Sequence, residues 1–154
     1  AEVFLPEKVF PDQVPLEGTA MSASVGELTL HFHRLPHEST QYIHVPHYGC
    51  LLEWQGYRVL LTGDCTVGCS ALAELTGGKS VDLALLDFPW LTLPRGREAI
   101  ADLIRPRHLL IGHLPFPEDD RWGYRLAAQR ALGKLPAVAD IRLLLEPFQT
   151  ESFD

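Results

Sequence analysis

Two segments of the chain end in the same way. From Tyr57 to Asp64 (YRVLLTGD) an apolar run meets a glycine and then a carboxylate, and from His108 to His113 (HLLIGH) an apolar run meets a glycine and then an imidazole. A glycine at the mouth of a strand lets the backbone turn sharply, so the next side chain leaves the sheet edge instead of entering the core. In sheets flanked by helices, ligands collect beyond the carboxyl ends of the strands. Asp64 and His113 are thus placed to meet. A carboxylate oxygen beside a neutral imidazole nitrogen is a donor set for zinc or iron. A third donor of this kind is His37, which follows Pro36 in a polar stretch that also carries His44 and His47. Each of the three has an ordinary structural role as well: Asp64 as a cap, His113 as the end of a strand, His37 as a solvated loop residue.

Other candidates rank behind these. Asp87 closes a third apolar run (VDLALLD) at the same edge, either touching substrate or a ligand's outer side, or capping the turn at Pro89. His44 and His47 (HVPH) either line a pocket mouth or are two loop imidazoles. Cys65 is expected to pack under the turn after Asp64. His31 and His33 share one strand face, opposite Leu30 and Phe32, and read as solvent-facing or sheet-packing. Phe88, Trp90, Phe116 and Trp122 read as core or pocket wall. Glu118, Asp119 and Asp120 supply negative charge to the start of a following helix.

The elements that position these residues follow from pattern. Residues 1–21 are proline-rich and read as an irregular approach segment with one short strand. Period-two patterning then gives two hairpins, 22–25 with 28–33 and 49–54 with 58–62. After residue 62 strands and helices alternate: helix 70–76, strand 82–86, helix 95–104, strand 108–111, helix 122–132 with Gly133 as its cap, and strand 141–145. The expected fold class is α+β in the first half and α/β in the second, as a single domain over 1–154.

With 154 residues, 46% apolar and 21% charged, the chain is long enough to bury a core and is neither disordered nor fibrous. Twenty acidic against 13 basic residues leave a net charge of −7, which disfavours nucleic acid as a partner. No apolar run approaches the roughly 18 residues of a membrane helix, so no membrane partner is expected. Three cysteines with no CxxC pair point to a reducing cytoplasm.

The order of these signals is itself informative. A histidine after a strand, a strand ending in Thr62, Gly63 and Asp64, and a proline-preceded strand ending in Gly112 and His113 (RPRHLLIGH) together resemble the metallo-β-lactamase superfamily. Within it the chain looks closest to the ascorbate-6-phosphate lactonase-like metal-dependent hydrolases. The resemblance runs from about Ser22 to His113. It implies that His37, Asp64 and His113 are metal ligands, with Asp64 bridging two ions, zinc first and iron or manganese as alternatives. It further implies a metal-held hydroxide that attacks a lactone or other ester, an amide or a phosphodiester centre of a small-molecule substrate.

The chain departs from that family in one large respect. The signature HxHxDH is absent, and the nearest string, His31 to His37 (HFHRLPH), lacks its aspartate. The resemblance implies a four-layer αβ/βα sandwich, of which this chain looks like the C-terminal half: a mixed sheet with helices on one face. Such a half leaves an apolar sheet face uncovered, so pairing is expected, with a missing N-terminal half or with a second copy. A fragment of a hydrolase and a degenerate, non-catalytic domain that acts by association are both compatible with these residues. A nuclease of the same fold is disfavoured by the absence of a Lys/Arg-rich arm.

Overall fold

The computed structural model describes residues 3–153 of the chain. Its main sheet has seven strands in sequence order: β3 (Ala20–Val25), β4 (Leu28–Arg34), β5 (Tyr48–Trp54), β6 (Tyr57–Leu61), β7 (Val81–Asp87), β8 (Pro106–Gly112) and β9 (Asp140–Leu143). Pairing is antiparallel from β3 to β6 and parallel from β6 to β9. This is the expected change from hairpins to strand–helix alternation. Both hairpins close on tight turns, with Gly26 and Gly56 in the left-handed region.

The approach segment is more ordered than expected. It holds two short parallel strands, β1 (Val3–Leu5) and β2 (Gln13–Pro15), and β3 starts already at Ala20. The Phe4 ring lies 5.5 Å from that of Phe32 and anchors β1 to the sheet. Residues 1 and 2 of that segment lie outside the described residues.

The helices are α1 (Leu72–Thr76), α2 (Phe88–Thr92), α3 (Pro94–Ala99), continued by a π turn over Ile100–Ile104, and α4 (Tyr124–Ala131). The expected helix 95–104 is therefore α3 with its π extension, and α2 was not anticipated. Helix α4 is shorter than 122–132, and Gly133 falls inside a 3-10 turn (Leu132–Lys134) instead of capping it. The acidic run does serve this helix: the Asp120 carboxylate accepts from the backbone N–H groups of Tyr124 and Arg125.

Register divides the residues of the sheet between two unlike faces. His31, Leu51, Leu60, Ala84, Leu109 and Ile141 form one row across it, and the four from Leu51 to Leu109 are fully buried beneath the helices with Trp90, Leu91, Ile100 and Ile104. On the reverse face Leu30, Leu52, Val59 and Leu83 form one row, and Phe32, Cys50, Leu61, Leu85 and Leu110 another. These are only half-buried. The core thus sits between the sheet and one helical layer, as a half-sandwich requires. Among the described residues no helix is long and apolar enough to cross a membrane.

His31 and His33 pack against the sheet and α1. His31 lies between Ser22 and Glu53, and buried His33 reaches Glu74. Of the four aromatics read as core or pocket wall, Trp90 is buried and Phe88 stacks on Tyr124, whereas Phe116 and Trp122 are exposed on the loop before α4.

Candidate metal centre

Parallel strands β6, β7 and β8 deliver three polar side chains to one edge. After β6, Gly63 takes φ +54°, and the chain turns so that Asp64 leaves the sheet. A Cβ on Gly63 would lie 2.7 Å from the His47 Nε2, so the glycine also lets that ring close over the turn. At the end of β7, Asp87 precedes α2 but makes no side-chain cap bond, which leaves its carboxylate free to face the edge. After β8, His113 adopts φ +57° and swings outward. A left-handed conformation costs a non-glycine residue about 1–2 kcal/mol, and such strain gathers at functional sites.

Asp64, Asp87 and His113 converge there, each with one donor atom within 4.8 Å of the others. His113 Nδ1 lies 3.1 Å from Asp87 Oδ2 and 3.2 Å from Asp64 Oδ1. Burial pushes the Asp87 carboxyl above its ordinary range, opposed by its hydrogen bond with His113. That hydrogen bond in turn raises the His113 imidazole, against partial burial. Neither carboxylate forms an ion pair with a lysine or arginine among the described residues.

The His37 loop is fastened beside Asp64. His37 and Cys65 form an antiparallel bridge, Glu38 N–H donates to the Asp64 carbonyl, and Thr66 N–H donates to the Pro36 carbonyl. His37 Nε2 stands 3.9 Å from Asp64 Oδ2. Its Nδ1 accepts from the Ser39 N–H at 3.0 Å, which leaves the proton of a neutral ring on Nε2, facing Asp64. His47 packs edge-on against it, with ring centroids 5.7 Å apart. The Nδ1 of His47 is buried without a hydrogen-bond partner, and its pKa is lowered by burial and then by His37.

Of the residues singled out from the sequence, the structure brings Asp64, Asp87 and His113 into one cluster with His37 at its side. His44 is exposed on its loop and does not join them. Cys65 is buried beneath the turn, and burial pushes its thiol to about 12. Two residues placed behind the first three in the sequence also lie at this edge. Asp87 meets His113 directly, and its signal was the same apolar run ending in a carboxylate. His47 meets Gly63 and His37, and its signal was its place at the entry to β5.

The donor set fits a divalent cation. Two carboxylates and an imidazole share one edge with no basic side chain paired to the acids, and a neighbouring imidazole carries a buried nitrogen without a partner. Asp64, Asp87 and His113 would hold the ion, with His47 and His37 adjacent. No protein-family model matches this chain, and no curated protein does. Solved structures do match. Igni18, a metallo hydrolase from the hyperthermophilic archaeon Ignicoccus hospitalis, superposes with a TM-score of 0.59 at 18% identity, over 93% of this chain and 61% of its own. A Thermotoga maritima protein described as a Zn-dependent hydrolase of the metallo-beta-lactamase superfamily gives 0.58 at 11% identity, over 85% and 71%. The Bacillus subtilis metallo-beta-lactamase fold protein YhfI gives 0.51 at 12%, over 86% and 52%. At these identities the likeness shows the fold: the chain has the metallo-β-lactamase fold. It spans about half to seven-tenths of the length of these three proteins.

Proposed function

We propose that this chain carries the metal-holding half of a metal-dependent hydrolase. The observation that supports it is the convergence of Asp64, Asp87 and His113 at the carboxyl edge of three parallel strands. His113 turns Nδ1 towards both Asp64 and Asp87, so Nδ1 is the ring nitrogen that would join the two carboxylates on an ion. Asp64 carries the charge nearest both His113 and His37. His37, with Nδ1 occupied by the Ser39 N–H, keeps Nε2 on the Asp64 side, 3.9 Å from Oδ2. The chemistry a zinc ion supplies at such a site is activation of water near neutral pH and polarisation of a carbonyl or phosphoryl oxygen. Lactones and other esters, amides and phosphodiesters are the substrate classes this reading admits, and iron or manganese are the alternative ions. The likeness to metallo-hydrolases of the same fold supports the class, and three unpaired thiols are consistent with the cytoplasm. The ascorbate-6-phosphate lactonase-like branch remains part of this proposal, as does the reading of the chain as a C-terminal half.

The test is a comparison of wild type with Asp64→Ala for bound metal and for hydrolysis of p-nitrophenyl esters and bis-p-nitrophenyl phosphate. Loss of metal with any hydrolysis supports the reading, and retention of both in the variant contradicts it. A second reading, association without catalysis, is favoured by the absent HxHxDH and the half-buried apolar rows of the sheet. It expects a stable complex with no stoichiometric metal.

A further inference from the structure

We propose, resting on the hydrolase reading, that the substrate of this metal centre is an uncharged ester, lactone or amide with a bulky apolar substituent, held by Tyr42, Ile43 and Phe116. Strands β4, β6, β7, β8 and β9 run the same way. The segments that follow them, 35–47, 62–71, 88–92, 113–123 and 144–153, therefore leave one edge of the sheet together. The metal donors stand at the ends of β6, β7 and β8, with the segment after β4 on one side and the segment after β8 on the other. The first carries Tyr42 and Ile43 and the second Phe116, all at least half exposed. Neither segment is loose. The Tyr42 and Val45 N–H groups donate to the Ser39 and Tyr42 carbonyls, the Asp119 N–H donates to the Phe116 carbonyl, and Arg125 donates to that of Pro115. The Tyr42 ring stands edge-on to His37 with centroids 5.1 Å apart, and His37 stands 3.9 Å from Asp64. Phe116 is three residues beyond His113, a reach of about 11 Å at most. Apolar side chains held in water around a polar cluster are what a ligand groove offers.

Charge chooses between the substrate classes. Among the described residues these five segments hold one lysine or arginine, Arg121, which directly follows Glu118, Asp119 and Asp120. Arg95 reaches the edge from α3 but is paired with Glu38 at 3.2 Å, and Arg125 is taken by Glu146 and two carbonyls. Lys8, on the amino-terminal segment that packs against Val45 and Pro46, has Glu7 beside it. Arg34 ends β4, three strands from Asp87; at about 4.8 Å per strand that is about 14 Å, beyond the screening length of about 8 Å at physiological salt. A divalent ion would balance Asp64 and Asp87, so no positive charge is left over for a substrate anion. A phosphodiester or a phosphorylated lactone calls for such charge, most often an arginine fork. An uncharged carbonyl compound does not, and its apolar part gains about fourfold in affinity for each methylene buried.

The experiment uses the zinc-saturated chain as wild type, as Tyr42→Ser/Ile43→Ser and, separately, as Phe116→Ser, with far-UV circular dichroism to check the fold. In the wild type p-nitrophenyl hexanoate should exceed p-nitrophenyl acetate by at least about tenfold in kcat/KM, and both variants should bring that ratio towards one. Calorimetric titration reads binding without turnover. Phenylbutanamide should bind the wild type at least about fivefold more tightly than either variant. Its isosteric anion, phenylbutyrate, should not bind more weakly as salt rises from about 20 to about 200 mM, because no spare cation attracts it. Equal rates on the two esters, with equal amide affinity in all three proteins, overturn the apolar grip. Phenylbutyrate binding that weakens with salt, or turnover of bis-p-nitrophenyl phosphate above that of the esters, overturns the uncharged substrate and leaves the hydrolase reading standing. No hydrolysis above that of Asp64→Ala removes the hydrolase reading instead, and the two titrations then decide the apolar, uncharged site by themselves.

Discussion

Asp87→Asn separates the charge of this side chain from its shape. It keeps a hydrogen-bond partner for His113 but removes one carboxylate from the cluster, so metal affinity should fall by about 10–100-fold while the melting temperature of the metal-free protein changes little. Titration with Co²⁺ followed by its visible spectrum measures this. Gly63→Ala should weaken metal binding for another reason: φ +54° strains alanine, and its Cβ would push the His47 ring away from Asp64. Thiol chemistry gives an independent check on the site's surroundings. With Cys65 pushed up to about 12 and Cys50 to about 11, alkylation of the folded chain near neutral pH should spare both and start at Cys69; early loss of Cys65 would place it outside the turn. At this scale Asp64 and His113 were legible because each follows a glycine at the end of an apolar run. The choice between His44 and His47 was not, since which imidazole of HVPH turns inward is set by Gly63, sixteen residues further on.

At the scale of elements, close approach decides more than propensity. A Cβ at Gly96 would lie 2.3 Å from the Trp90 carbonyl, because α2 and α3 fold back on each other there. Gly96→Ala should therefore cost about 1–3 kcal/mol in chemical denaturation. Asp120→Ala removes both N–H acceptors at the start of α4 and should cost about 1 kcal/mol. The pair Glu53–Arg58 ties β5 to β6, and Arg58 also reaches the Thr76 and Ser80 carbonyls. The Arg58 hydrogen bond holds the Glu53 carboxyl below its ordinary value, so its stabilisation is present above about 4.5 and is lost as pH falls through the lower folded value. The stability difference between wild type and Glu53→Gln should accordingly shrink on acidification; a difference that grows would contradict the pairing. Both hairpins and the parallel strands were legible from period and turn glycines. Helix α2 was not: Asp87 and Pro89 read as a turn after strand 82–86 and Phe88 and Trp90 as core or pocket wall, whereas a helix there buries Trp90 and Leu91 completely.

For the whole molecule, the alternation of Leu28, Leu30 and Phe32 with His31 and His33 already contained the two-faced sheet. What sequence could not give was its extent, since the second uncovered row depends on register across five strands. The same register brings Asp64, Asp87 and His113 to one edge, where β6, β7 and β8 end. Occupancy of the edge should also stabilise the fold: saturating zinc at about 100 times its dissociation constant adds roughly 2.7 kcal/mol, read as a rise in melting temperature that chelator reverses. The most direct measurement is the metal content of the purified chain after dialysis, by elemental analysis, beside that of Asp64→Ala. At least one equivalent of zinc, iron or manganese in the wild type and its loss in the variant is the result expected here. Equal content in the two proteins, or none in either after zinc is supplied, would contradict a metal centre built from Asp64, Asp87 and His113.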